Sequence, residues 1–95
     1  MEFLVLMHGD ATSPETGDWD RYIGGLMAEG VFCGGSSLSS GASLRLQGDP
    51  APTSAPVGFI RLKCRDLDQA RELVAQNPAY LAGASIEIFP LAEDE

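Results

Sequence analysis

His8 is the only histidine of the chain and closes an apolar run, with Asp10 two residues beyond it. An imidazole exchanges a proton near neutral pH, and residues two apart on an extended strand point the same way. His8 is therefore the candidate general base and Asp10 the carboxylate that would orient it. The alternative is a histidine bonded locally at a strand end, with Asp10 opening a turn. Arg61, Lys63 and Glu87 fall on one face of neighbouring strands. They would either hold an anionic ligand or form cross-strand ion pairs. Tyr22 offers a hydroxyl to a pocket, or is, like Trp19, a core residue of the first helix.

Other chemistries find less material. Cys33 and Cys64 lie far apart and outside any Cys-x-x-Cys spacing, so no metal site, redox motif or cofactor is expected. Gly34-Gly35-Ser36-Ser37 has the composition of a phosphate cradle, but no helix follows to supply the dipole. Glycine at a tight passage from strand to loop accounts for it better.

These residues need a scaffold, and 95 residues suffice for one domain spanning 1–95. A hydrophobic share of 44% with 21% charged residues is that of a globular chain. No apolar stretch approaches the roughly 18 residues of a membrane span. The opening Met1 to Met7 run carries an acid and leads to no cleavage site, so it reads as a strand and not a signal peptide. With both thiols reduced, the expected location is cytoplasmic. A net charge of −8 with only six Lys and Arg disfavours nucleic acid and anionic membranes, and serves solubility.

Glu2 to His8 is apolar on both alternating faces, as a strand covered on both sides would be. Thr16 or Asp18 caps a helix through Glu29, in which Trp19, Tyr22, Ile23, Leu26 and Met27 form one stripe. Gly24-Gly25 within it implies a close neighbour or a pocket wall, and Gly30 a left-handed cap. Val31-Phe32-Cys33 begins a second strand. Gly34 to Pro56 reads as a long loop, with a hairpin arm at Ala42–Leu46 and an exposed stretch at Gly48–Pro56. Gly58 to Cys64 alternates as a strand, Asp66-x-x-Gln69 opens a helix that Asn77-Pro78 stops, and Ser85 to Leu91 is the last strand before a solvated Glu93-Asp94-Glu95 tail.

The order β-α-β-(hairpin)-β-α-β is that of an α+β, ferredoxin-like sandwich with both helices on one side of the sheet. The uncovered face, carrying Phe3, Val5, Met7, Phe59 and Phe89 or their alternates, calls for a second copy and hence a homodimer.

In this layout the chain resembles the YCII-related family, close to its Asp-Gly-Pro-Phe branch. The resemblance rests on Phe3-Leu4-Val5-Leu6-Met7-His8-Gly9-Asp10, on Trp19 followed by Leu26-x-x-x-Gly30-Val31-Phe32-x-Gly34-Gly35-x-x-Leu38, and on Gly58-Phe59-Ile60 leading to Asp66-Leu67-Asp68-Gln69-Ala70. Asn77-Pro78 and Ser85-Ile86-Glu87-Ile88-x-Pro90-Leu91 complete it. It implies a dimeric α/β barrel in which two sheets pack face to face. Some members of the family act on small cyclic substrates with a His and an Asp in a pocket between sheet and helices. This chain has Asn77 where those members place the Asp before Pro, and no histidine in the first helix. The branch signature is replaced by Gly48-Asp49-Pro50-Ala51-Pro52.

Two functions are then expected to compete. One is an enzyme-like dimer acting on a small organic molecule between the sheet and the first helix, with His8 and Asp10 catalytic and Tyr22, Arg61 and Asn77 binding the ligand. The other is a non-catalytic small-ligand-binding or regulatory module that has lost the family's His/Asp pair.

Overall fold

A computed structural model describes residues 1–52 and 55–92 of the chain. Thr53 and Ser54 of the expected loop, and the Glu93-Asp94-Glu95 tail, lie outside the described residues. Along the chain come β1 (Glu2–His8), α1 (Trp19–Ala28), β2 (Phe32–Ser37), β3 (Pro56–Lys63), α2 (Leu67–Val74), α3 (Pro78–Leu81) and β4 (Ile86–Pro90). The strands form one antiparallel sheet in the order β2-β3-β1-β4. This is an α+β arrangement compatible with the ferredoxin-like fold expected from the element order.

The helices start and stop where local chemistry requires. The Asp18 carboxylate accepts from the N–H of Arg21 to cap α1, and Asp66 accepts from Gln69 at 2.8 Å to cap α2. The Gln69 amide oxygen answers by accepting from the N–H of Arg65 at 2.9 Å, a reciprocal arrangement of the capping-box kind. After α1, Gly30 takes a φ of +72°, the left-handed conformation that ends helices and that glycine adopts without a Cβ penalty.

Register decides which side chains meet. Val5 faces Ile60 and Ile88, and Phe3 faces Leu62, so the odd-numbered residues of β1 point to the helices. Phe3, Val5, Met7, Ile60 and Leu62 are buried there with Leu26 of α1, Ala70 and Val74 of α2 and Ala79 of α3 in one core. Phe3, Val5 and Met7 therefore do not belong to the uncovered face. Their alternates Leu4 and Leu6 do, opposite Phe89 and Phe59. Met27 also leaves the expected α1 stripe and is exposed, while Trp19, Tyr22 and Ile23 pack partly against the core.

Two further expectations are corrected, and a third is decided between its two alternatives. β2 runs on through the glycines to Ser37, where a loop was expected from Gly34. A Cβ at Gly35 would stand 2.5 Å from the Phe59 carbonyl oxygen, so the glycine permits a close strand contact. Ala42–Leu46 forms no strand, and Leu44 and Leu46 stand in solvent; among the described residues no strand pairs with this segment. Nothing comes within 4 Å of a Cβ placed on Gly24 or Gly25, so no close neighbour explains that pair; Gly25 instead borders a groove between α1 and α2.

Candidate functional site

A cleft of about 410 Å³ opens on the helix side of the sheet, between the β2–β3 edge and the start of α1. Its walls follow from the register: Ile60 and Phe32 point to the helix side from β3 and β2, and Met7 does so from β1. Trp19 and Ile23, on the first two turns of α1, close the opposite wall, and Glu15 adds a carboxylate.

The aromatic wall is held in place by polar contacts. The Trp19 indole N–H donates to Oε1 of Glu15 at 2.8 Å, and its ring meets Tyr22 edge-on with centroids 5.8 Å apart. The Tyr22 hydroxyl donates to the Leu73 carbonyl of α2 at 2.8 Å and so ties the two long helices together. Burial pushes this phenol up to about 12. Tyr22 is not among the residues lining the cleft; it borders the α1–α2 groove.

His8 and Asp10 do not form the expected dyad. A register shift after Met7 sets His8 opposite Pro56, and its Nε2 lies 2.6 Å from Oε1 of Glu87. Glu87 is opposite Leu6, on the face away from the helices, so the imidazole is directed away from the cleft. Asp10 instead accepts from the backbone N–H of Ser85 at 2.7 Å and from its hydroxyl at 2.5 Å. Those two bonds hold its carboxyl below the usual range, the hydroxyl most strongly, with His8 contributing least.

The remaining candidates have structural partners. Asn77 is fully buried: its carbonyl oxygen accepts from the N–H of Ala79 and Tyr80 to cap α3, and its amide donates to the Met7 sulfur at 3.4 Å. Arg61 donates to the Cys33 carbonyl at 2.8 Å and approaches Glu2 at 3.5 Å, partners other than the Glu87 with which the sequence groups it. Glu87 pairs with His8, so Arg61 and Glu87 do not act together.

Glu15 and Phe32 were not singled out in the sequence. Phe32 is a wall residue because it pairs with Leu62 and so points to the helix side, a register that long-range pairing sets. Glu15 had a usable signal, standing four residues before Trp19. Among the described residues no three His, Cys, Asp or Glu converge as metal ligands, and no helix is long and apolar enough to cross a membrane. Compared with protein-family models and with characterised proteins, the chain matches none.

Proposed function

We propose that this chain is a small-ligand-binding module that works as a homodimer, holding an organic molecule in the cleft between the sheet and α1. The observation that carries this reading is the cleft itself: about 410 Å³, walled by Met7, Trp19, Ile23, Phe32 and Ile60. That volume and lining suit a small apolar molecule, since ligand sites are commonly concavities of roughly 300–1,000 Å³ with few polar groups. Of the two expected functions the non-catalytic one is favoured. His8 is bound to Glu87 on the other face, Asp10 to Ser85, and the amide of Asn77 is used as a helix cap. The enzyme-like reading would require His8 to reach a ligand across the sheet.

The proposal keeps the resemblance to YCII-related proteins, and with it the dimeric α/β barrel. Leu4, Leu6, Phe59 and Phe89 supply the uncovered apolar surface on which a second copy would sit. Cys33 and Cys64 are free thiols, in keeping with a cytoplasmic site of action.

Trp19 is the only tryptophan and lines the cleft, so it reports occupancy directly. A panel of small aromatic compounds should contain members that change its emission and raise the melting temperature. A ligand at a hundred times its Kd adds about 2.7 kcal/mol. The same compounds should lose their effect in Ile60→Phe, which fills the floor of the cleft without adding a second indole. Compounds that stabilise wild type and Ile60→Phe equally would place binding elsewhere and defeat the proposal.

A further inference from the structure

The charge of the ligand can be read from the cleft, given that the cleft is the binding site. Among the described residues lining it, Glu15 is the one that is ionisable, and no Lys, Arg or His takes part. The Glu15 carboxylate spends Oε1 on the Trp19 indole, and among the described residues Oε2 takes no hydrogen bond. The walls beside it include Trp19 and Phe32. An organic anion would meet the carboxylate with no compensating positive charge among the described lining residues. A neutral donor could reach Oε2 but would leave the negative charge uncompensated. A cation with an apolar body meets both demands: its ammonium donates to Oε2, and its body fills the space between Met7, Ile23 and Ile60. The chain's net charge of −8 draws cations in the same sense at long range.

We infer that the cleft selects small hydrophobic ammonium compounds, aromatic or alkyl amines, with Glu15 as the residue that recognises their charge. The indole N–H links recognition to a visible signal, since the group that holds the cation also accepts the Trp19 proton.

Benzylamine, benzyl alcohol and benzoate share a ring and differ in charge, which makes them suitable probes. Titrated into the nitrogen-labelled protein at neutral pH, benzylamine should shift the Trp19 indole N–H resonance with a Kd at least about fivefold lower than benzyl alcohol, and benzoate should bind most weakly. Raising the salt concentration should narrow the gap. Glu15→Gln keeps an oxygen for the indole and removes the charge, so it should bring benzylamine to the affinity of benzyl alcohol while leaving that of the alcohol unchanged. Equal binding of amine and alcohol to wild type, or an amine preference that survives in Glu15→Gln, would overturn the inference and leave the ligand-binding reading standing. If none of the three moves the indole resonance at millimolar concentration, the cleft is not a site for aromatic ligands and both readings fall.

Discussion

Asp10 and Ser85, 75 positions apart in sequence, are joined by two hydrogen bonds that pin the chain leaving β1 to the residue entering β4. The carboxylate is fully exposed, so it pins the loop by geometry more than by burial. Its folded pKa is lowered, chiefly by the Ser85 hydroxyl. The folded state therefore binds the proton less readily than the unfolded chain. Its contribution is complete above the unfolded value of about 3.9 and disappears as pH falls through the lower folded value. A carboxyl-detected NMR titration should find Asp10 below the ordinary range, and Ser85→Ala should move it upward. An unmoved Asp10 in that variant would contradict the assigned cause.

Asn77 is predicted to matter for stability and not for ligand affinity. Asn77→Ala removes the α3 cap and leaves the buried Ala79 N–H without its partner, at a cost of about 2 kcal/mol. Asn77→Asp keeps an accepting oxygen but places a charge in a fully buried position and removes the donor to Met7. It should therefore destabilise more at neutral pH than at acidic pH, where the side chain is neutral. Urea unfolding at the two pH values measures the difference; an Asp variant as stable as wild type at neutral pH would refute the buried-cap account.

The sequence carried most of the fold because its local signals agreed: alternation in β1 and β3, Asp18 and Asp66 at helix starts, Gly30 at a helix end. It failed where a signal admits two readings. Gly34 and Gly35 look like loop residues, yet they sit in β2 because Gly35 lies too close to the Phe59 carbonyl for any side chain. The apolar character of both faces of β1 was plain, but which face met the helices depended on register with β3 and β4, and register depends on long-range pairing. The site suffered most from this. His8 and Asp10 share a strand-end motif in sequence, but the register shift after Met7 and the arrival of β4 gave each a partner from the far end of the chain.

Tyr22 should be the late-ionising phenol. An unfolded tyrosine releases its proton near 10, whereas burial holds Tyr22 at about 12. Stability from this group is whole below about 10 and is lost as pH rises towards the folded value. In Tyr80→Phe, which leaves Tyr22 as the one tyrosine, tyrosinate absorbance should rise near 12 or together with alkaline unfolding. A rise near 10 with far-ultraviolet circular dichroism unchanged would exclude the buried, Leu73-bonded hydroxyl.

Trypsin should cut first after Arg45. The residue lies in the irregular segment between β2 and β3, flanked by Leu44 at 92% exposure and Leu46 at 99%. Arg21 and Arg71 are inside helices, and Arg61 and Lys63 inside a strand, so those bonds require local unfolding before cleavage, while Arg65, between β3 and α2, is held by its N–H on the Gln69 side chain and is followed by the acidic Asp66. Mass spectrometry of a brief digest should give fragments 1–45 and 46–95. First cleavage within α1 would contradict the fold described.

The homodimer should be visible as twice the 10.1 kDa chain mass in sedimentation equilibrium at micromolar concentration. The face without helices places Leu4 opposite Phe89 and Leu6 opposite Phe59, and a second copy lying on these residues would remove them from water. Phe89 is the useful position for a test because it is 44% exposed in the single chain, so a polar replacement should not disturb the helix-side core. Phe89→Asp would carry an unpaired carboxylate into the interface and meet its own symmetry mate or a neighbouring apolar side chain there, a penalty of several kcal/mol per dimer. The variant should sediment as a folded monomer with unaltered circular dichroism. Phe89→Leu keeps the surface apolar and should remain dimeric. A wild-type chain that sediments as a monomer would remove the barrel arrangement outright, and a Phe89→Asp protein that stays dimeric would move the interface to another face.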